Sequence, residues 1–403
     1  MKFYFKLAWR NIWRSPKRTW ITASSIAFAV FFACVMQSMQ IGSYDRMIEN
    51  SVRFYTGHLA VQHAEFWEEQ VLENTITEEA INSLQLPDQQ IEVAAPRLNS
   101  FSLASFGDKT KGALINGVDP RQEAAFSKLE DKLVEGSYLS KGSVLIAAGL
   151  ADFLKMGVGD TLVLISQGYR GINAAGKYPV AGIVRFPIAE INQSAVYMAL
   201  PDAQYFFGTG PRLTGYSLLL SDASATDAVQ QELAGQLSEP WVVRDWQEMM
   251  PELLQGIELD YYGGLIMIYI LYAVIGFGIF GTFLMMTRER TYEFGIMSAV
   301  GMKKSRLQIM VGLEVLMLTF LGVMIGISAS LPFLIYLFFN PIQMTGESAA
   351  AFESFGYEAI IPFSLDAVIF YDQAVVILII ALVLGLYPLN YIRHLKVINA
   401  LKE

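Results

Sequence analysis

Four long runs without a charged residue dominate this chain and limit the folds open to it. They lie between Arg18 and Asp45, Asp260 and Arg288, Glu314 and Glu347, and Asp372 and Arg393. Each run is long enough for a transmembrane helix, which needs about 20 apolar residues. The third span is predicted to begin near Leu307, with Glu314 inside it. Four spans would place both ends of the chain on the same side of a membrane.

The basic residues predict which side that is. Of the 29 Lys and Arg residues, six precede the first run, five lie in 288–306 and three follow the fourth run. The segment 43–260 holds the other fifteen Lys and Arg residues and 29 acidic residues. In the segment 340–372 all of the charged residues are acidic. Short loops rich in Lys and Arg stay in the cytoplasm. The termini and the 288–306 loop are therefore expected inside, with 43–260 and 340–372 outside.

The predicted fold class is an α-helical membrane protein with four transmembrane helices and a large extracytoplasmic α+β domain inserted between helices 1 and 2. Short strand-like runs mixed with helical patterns favour α+β for the inserted domain. The predicted segments are an interfacial helix (1–18), transmembrane helices (19–42, 261–287, 307–339 and 373–392), an outer domain (43–260), a cytoplasmic loop (288–306), an outer loop (340–372) and a cytoplasmic tail (393–403).

The first 18 residues form a basic amphipathic pattern, with aromatic residues on one helical face and cations on another. Such a helix lies in the membrane interface. Two interpretations stay open, a simple anchor or an element that transmits motion. The long basic flank and the lack of a small-residue cleavage site predict that the first span is an uncleaved anchor.

Composition argues against an active site on this chain. One cysteine, Cys34, excludes a disulfide framework, and three histidines leave little for a metal site. The net charge of −9 argues against nucleic acid as a partner. Gly107 to Gly112 has the spacing of a phosphate loop, but Ala113 occupies the place of the required Lys. No metal and no bound cofactor are expected, so energy for any work would come from elsewhere.

A short charged stretch separates the second and third runs. Thr291 to Val300 fits a helix, and Gly301 is placed for a left-handed stop after it. Phe294, Met297 and Val300 form an apolar strip. A cytoplasmic amphipathic helix lies in the membrane or inserts its apolar face into a partner's groove. The second alternative would supply the missing energy if that partner hydrolyses ATP.

Three residues of the third predicted span carry further predictions. Glu314 is expected near the inner membrane boundary, paired with Arg306, Lys303 or headgroup water, because intramembrane carboxylates are costly unless they face protein or water. Gly322 and Gly326 form a G-x-x-x-G strip that permits close helix packing.

The stretch from Arg288 to Gly326 resembles the cytoplasmic loop and third span of FtsX-like permeases, the class with MacB-type and lipoprotein-releasing (Lol) members. The matching residues are Arg288, Glu293, Gly295, Ile296, Ala299, Gly301, Glu314, Gly322 and Gly326. LAWRNIWRSPKRTWIT, VLIAAGLADFLKMGVGDTLVL and the closing INALKE are also similar to family segments, and VRDWQEMMPELLQGIE resembles the Lol branch. The resemblance covers essentially the whole chain.

The resemblance implies a multi-pass permease of the bacterial inner membrane with its large domain in the periplasm. It would pair with a second copy or a paralogue and sit on an ATPase dimer that binds ATP and Mg. The 288–306 loop would carry the coupling helix. The implied ATPase-coupling residues are Glu293, Phe294, Gly295, Ile296, Met297, Val300 and Gly301.

The Lol branch implies extraction of lipoproteins from the outer leaflet and delivery to a periplasmic carrier. Candidates for a lipid cavity, which are also readable as ordinary lipid-facing or packing residues, are Phe32, Val35, Met36, Met39, Leu265, Ile266 and Tyr269. Ser166 to Lys177 is predicted as an exposed hairpin tip, either passive or carrier-binding through Gly168, Tyr169 and Arg170. The alternative is a MacB- or FtsX-type mechanotransmission permease that acts on an efflux duct or a periplasmic hydrolase.

Overall fold

The computed structural model describes residues 2–77, 80–81, 84–87, 89–354 and 359–400. The chain divides into two compact units. The membrane unit comprises Met1–Asp45, Gly256–Gln343 and Ile361–Glu403, and the outer unit comprises Arg46–Gln255 and Met344–Ile360.

The elements within the described ranges follow in chain order. The α-helices are α1 (Lys2–Arg14), α2 (Pro16–Ser51), α3 (Phe66–Glu69), α4 (Pro120–Phe126), α5 (Ala148–Leu154), α6 (Ala189–Ser194), α7 (Leu200–Phe207), α8 (Thr226–Ala234), α9 (Trp246–Met249), α10 (Pro251–Glu289), α11 (Thr291–Ala299), α12 (Lys304–Phe339), α13 (Glu347–Ser354), α14 (Ala367–His394) and α15 (Val397–Ala400). The strands are β1 (Leu59–His63), β2 (Ile76–Thr77), β3 (Ile91–Phe106), β4 (Lys109–Val118), β5 (Leu133–Gly136), β6 (Val144–Ala147), β7 (Thr161–Gln167), β8 (Asn173–Val184), β9 (Ala195–Ala199), β10 (Arg212–Leu213), β11 (Gly215–Leu220), β12 (Trp241–Asp245), β13 (Ile342–Gln343) and β14 (Ile360–Ile361).

Four helices of the described chain are long and apolar enough to cross a membrane. These candidate spans are Thr19–Thr56, Pro251–Glu289, Lys304–Phe339 and Ala367–His394. Two of the helices extend well beyond the predicted spans: α2 continues past residue 42 to Ser51, and α10 begins at Pro251 rather than near 261. Residues 43–51 contain no Gly or Pro, and polar side chains by themselves do not end a helix.

The core of the membrane unit forms around α12. In the most apolar 18-residue stretch of α12, 50% is buried within the protein, against 11% in the corresponding stretch of α10. Its buried face packs on α1, α2 and α14. The buried residues of α12 are Leu307, Met310, Val311, Glu314, Val315, Leu318, Thr319, Gly322, Val323, Gly326, Ser330, Leu334 and Leu337.

The outer unit is built on one mixed sheet of ten strands, a mixture of sheet and helices that agrees with the predicted α+β class. The strand order is β12-β1-β11-β3-β4-β9-β6-β8-β5, and β7 pairs with β3 and β8. The β4–β9 and β6–β8 pairs are parallel, whereas the other pairs are antiparallel. Helices pack on the sheet and bury its apolar side chains.

A buried ion pair joins the sheet of the outer unit to α4. Both carboxylate oxygens of Glu123 accept from the Nη2 of Arg97 at 3.0 Å. The Arg97 guanidinium also donates to the Tyr55 carbonyl and lies 4.6 Å from the centre of the Phe126 ring. Because the carboxylate is matched by a paired and hydrogen-bonded guanidinium, the pair is an anchor of this unit.

Candidate coupling and substrate-binding sites

The helix α11 (Thr291–Ala299) begins and ends at backbone breaks. Arg290, at its start, leaves helical geometry with φ −102° and ψ 8°. Gly301 has a φ of +103°, the left-handed conformation expected for the residue after a helix. A side chain at position 301 would meet no atom within 4 Å, so backbone conformation rather than space selects glycine there.

The structure corrects the predicted orientation of α11. Phe294 is only 1% exposed and packs in the core of the membrane unit, so it does not project towards a partner. A Cβ on Gly295 would come within 2.9 Å of the Ala400 Cβ, so glycine permits the close approach of α15. Met297 is half-buried. Helical periodicity predicts the apolar strip of Phe294, Met297 and Val300. Phe294, however, is buried by other residues of the same chain.

The exposed side of α11 carries a different set of apolar residues. Ile296 is 41% exposed and Val300, just past the end of the helix, is 85% exposed. Tyr292 is also exposed. Of the predicted coupling residues, Ile296 and Val300 are therefore the exposed apolar ones, whereas Phe294 and Gly295 face the rest of the membrane unit.

Glu314 has different partners from those predicted. Its Oε2 is paired with Arg290, and its Oε1 accepts from the Asn11 side-chain amide at 2.7 Å. Both ionic side chains are buried, at 2% exposure for Glu314 and 7% for Arg290. The predicted partners Arg306 and Lys303 are exposed instead. The pairing with Arg290 spans the break before α11, which no helical spacing rule could reveal.

The glycine strip of α12 lies against α2. A Cβ on Gly322 would come within 2.6 Å of the Ile26 Cβ, and one on Gly326 within 2.7 Å of the Ala27 carbonyl oxygen. Both distances are far shorter than a normal carbon contact, so only glycine permits this approach of the two helices.

The candidate lipid-cavity residues lie on α2 and α10. Phe32 and Met39 of α2 are exposed, as are Ile266 and Tyr269 of α10, each at 62%. The remaining three are half-buried, and they are Val35, Met36 and Leu265. The set thus forms apolar surface on the membrane unit, apart from Val35, which packs against its core.

A polar chain joins these same two helices at their outer parts. The Gln40 amide donates to the Tyr44 hydroxyl at 2.8 Å, and that hydroxyl donates to Asp260 at 2.7 Å. The Tyr44 hydroxyl therefore links the Gln40 side chain of α2 to the Asp260 carboxylate of α10.

The predicted hairpin tip is shorter than expected. The strands β7 and β8 extend to Gln167 and from Asn173, which leaves a connection over 168–172. Gly168 is buried against the Phe207 carbonyl, and the Arg170 amide donates to Glu73 at 2.9 Å. Arg170 and Arg212 both lie over the Tyr169 ring. Much of the segment predicted as loop is therefore strand, because its small residues alternate in register with β7.

Among the residues that the structure describes, no group of three or more His, Cys, Asp or Glu side chains is arranged to hold a metal ion. The membrane helices and the α+β outer unit together define a multi-pass membrane protein with a large domain outside the membrane.

Two family models match the chain. The MacB-like periplasmic core domain matches residues 19–236, just over half of the chain, and the FtsX-like permease C-terminal model matches residues 265–397. The chain therefore belongs to the family of FtsX-like permeases with a MacB-like periplasmic core, which confirms the resemblance seen in the sequence. Membrane helices and a periplasmic-domain fold are consistent with a protein of the inner membrane.

Curated relatives carry lipoprotein-release names. "Lipoprotein-releasing system transmembrane protein LolC" of Xylella fastidiosa (strain Temecula1) is 25% identical over 229 residues, which cover 55% of each chain. LolC of Neisseria meningitidis serogroup B is 23% identical over 53% of this chain and 54% of its own. LolE of Haemophilus influenzae is 22% identical over 60% of this chain and 61% of its own. The chain spans little more than half the length of the curated relatives it matches.

Two solved structures align with part of the chain. The extracellular domain of the noncanonic ABC-type transporter YknZ from Gram-positive bacteria aligns with a TM-score of 0.35 and 16% identity, over 46% of this chain and 99% of that one. The periplasmic region of MacB from Actinobacillus actinomycetemcomitans aligns with a TM-score of 0.35 and 14% identity, over 52% and 98%.

Proposed function

We propose that this chain is the transmembrane subunit of an ABC transporter that extracts lipoproteins from the outer leaflet of the inner membrane. A separate ATPase dimer would supply the energy, and a periplasmic carrier would receive the product. Membership of the FtsX-like permease family and the lipoprotein-release names of the curated relatives support this proposal.

One observation carries the coupling part of the proposal, and it is the exposed side of α11. Ile296 and Val300 form exposed apolar surface at this short helix. The opposite side of the helix packs against the membrane unit through Phe294 and Gly295. A rigid helix with exposed apolar anchors suits a groove on a partner protein. Lys and Arg residues of the 288–306 loop favour the cytoplasmic side, where ATP is available.

The substrate part of the proposal rests on the outer halves of α2 and α10. Exposed apolar side chains such as Phe32, Met39 and Ile266 would meet acyl chains in the outer leaflet. Methionine is flexible and polarisable, so it accepts acyl chains of varied shape.

A second candidate function is suggested by the name of the model that matches residues 19–236, the MacB-like periplasmic core domain. In that case the ATPase would drive movement of the periplasmic domain, and the domain would act on an efflux duct or a hydrolase. The two functions differ in whether lipoprotein binds to the transporter and is purified together with it.

A charge placed on the exposed end of α11 tests the coupling. Val300→Asp should weaken binding of the ATPase by about 2 kcal/mol or more, since a buried carboxylate would remain unpaired in the groove. Ser305→Asp adds the same charge to the exposed first turn of α12 and should bind the ATPase normally. The measurement is the affinity of the purified ATPase for the permease in detergent. Equal binding by both variants would remove α11 from the ATPase interface.

Mass spectrometry of the purified complex tests the substrate. The lipoprotein-release function predicts triacylated lipoprotein in preparations trapped before ATP is added, and its loss after ATP hydrolysis. Repeated purification of an active complex without lipoprotein would favour the mechanotransmission function instead.

A further inference from the structure

A group of polar and charged side chains, buried at its centre, lies behind α11. We call it the inner cluster, and its members are Asn11, Arg14, Arg290, Glu293 and Glu314. Glu314 is at its centre, paired with Arg290 and bonded to Asn11. Glu293 accepts from Arg290 at 3.2 Å and forms an ion pair with Arg14 at 3.1 Å.

The members of the inner cluster come from four separate segments. Asn11 lies on α1, Glu314 on α12, Glu293 on α11, and Arg290 at the break between α10 and α11. A single carboxylate, that of Glu314, therefore joins the N-terminal helix, the break and the third candidate span. Arg290 passes the connection on to α11 through Glu293, and its guanidinium also lies 5.2 Å from the centre of the Phe294 ring.

Burial makes these contacts strong and makes the loss of one partner costly. A buried carboxylate must be neutralised and hydrogen-bonded, and both oxygens of Glu314 have such a partner. The Arg14–Glu293 pair differs, because Arg14 is 70% exposed. Exposed pairs contribute little, so the connection rests on Glu314, Arg290 and Asn11.

The position of Arg290 gives the cluster a mechanical role. Its backbone is the non-helical point about which α11 would turn relative to α10. Without the bond to Glu314, Arg290 would no longer connect this point to α12. With the bond, a force on α11 acts directly on α12, whose glycine strip lies against α2.

We propose that Glu314, Arg290 and Asn11 are positioning residues that bind α1 and α11 to α12, so that displacement of α11 moves these helices together. The proposal rests on the coupling function proposed above. It also makes α1 part of the transmission path, beyond a membrane anchor. None of the three residues lies on the exposed face of α11, so they act through that helix rather than by touching an ATPase.

The first test measures geometry in the full chain without any ATPase. Spin labels are attached at Arg10→Cys on α1 and Ala299→Cys on α11, both exposed positions, in a Cys34→Ala background. The unaltered cluster should give one narrow distance distribution. Glu314→Gln and Asn11→Ala should broaden it. Thr319→Val is the matched control, since Thr319 is equally buried on α12 but bonds only within that helix.

The second test measures coupling in the complex of the full chain with its ATPase in vesicles. The probe is an epitope-tagged triacylated lipoprotein, and the readout is lipoprotein released per ATP hydrolysed. Glu314→Gln and Asn11→Ala should lower this ratio roughly two- to thirtyfold, the range for residues that carry coupling. Thr319→Val should retain the wild-type ratio. A merely stabilising role would lower the melting temperature without changing this ratio.

The outcomes are distinguishable. Narrow distances and a normal ratio in both cluster variants would overturn the inference, as would an equal loss of ratio in Thr319→Val. Asn11→Ala removes a half-buried neutral partner, so it provides a folded variant even where Glu314→Gln does not fold. If wild-type chain shows no ATP-dependent release, the proposed function fails, whereas the distance test still decides whether the cluster holds α1 and α11.

Discussion

Two glycines of α12 set how closely it approaches α2. A Cβ added to Gly326 would lie 2.7 Å from both the Ala27 carbonyl oxygen and the Val30 Cβ. A Cβ added to Gly281 of α10 would have no atom within 4 Å. The same substitution at these two positions therefore separates a packing effect from a general effect of alanine in a membrane helix.

Gly326→Ala should lower the free energy of unfolding of the full chain by about 1–3 kcal/mol, the usual cost of an overpacked contact. Gly281→Ala should leave it unchanged or raise it slightly, because alanine favours helix. Unfolding in detergent by steric trapping measures both. Equal stability of the two variants would mean that α2 and α12 relax apart at no cost.

At the residue scale, the sequence identified the important side chains but not all of their partners. The sequence marks Glu314 as an unusual intramembrane carboxylate, yet its partner Arg290 is 24 residues away, across a backbone break. Spacing rules describe neighbours on one helix, and they carry no information about which residue faces another after the chain turns. The Arg290–Glu293 contact, at a spacing of three, was within reach of those rules.

At the scale of elements, α11 shows what periodicity does and does not predict. The helix and its glycine stop could be predicted, because propensity and a left-handed stop are local properties. The orientation could not, since a strip of Phe294, Met297 and Val300 looks the same whether it faces a partner or the chain itself. The extent of α2 was also missed, because the hydropathy that marks a span ends before the helix does.

The junction before β1 contains a pH-sensitive contact of the outer unit. The His58 Nδ1 accepts from the Leu220 backbone amide at 3.0 Å, and the His58 carbonyl accepts from the Trp246 backbone amide at 3.1 Å. Burial lowers the pKa of His58, with a further contribution from Arg53. The neutral ring is thus the form that fits, because a protonated Nδ1 could no longer accept this bond.

Stability should therefore fall on acidification. The unfolded chain takes up the His58 proton near pH 6.5, whereas the folded chain takes it up only at a lower pH, so the free energy of unfolding decreases as the pH falls below about 6.5. His58→Asn keeps an acceptor and removes the titration. Melting temperatures of the full chain in detergent from pH 5 to 8 should show a weaker pH dependence in the variant. Parallel curves would contradict this assignment.

At the scale of the whole molecule, the distribution of Lys and Arg predicts which parts face the cytoplasm. Cysteines at two exposed positions test it in a Cys34→Ser background: Asp108→Cys in the turn between β3 and β4, and Ser305→Cys at the start of α12. A membrane-impermeant maleimide should label position 108 in whole cells and position 305 only after permeabilisation. Labelling of position 305 in sealed cells would contradict the predicted topology, because it would place this loop outside the cytoplasm.

The candidate membrane helices were the most predictable elements, because long uncharged runs reflect the membrane as a solvent. The α+β class of the outer unit was predictable from mixed short patterns. Its ten-stranded order was not, since pairs such as β4 with β9 join segments far apart in sequence. The shortened 168–172 connection also follows from long-range packing, through Glu73 and Phe207.

The bond between Asn11 and Glu314 has a consequence for how the protein is made. The two residues are 303 positions apart. A ribosome adds about 5–20 residues per second, so Asn11 waits roughly 15 to 60 seconds before its partner exists. Arg290 is likewise synthesised before Glu314. The N-terminal helix and the first span therefore enter the membrane with this contact unmade, and arrival of the third candidate span completes it as one of the last steps of assembly.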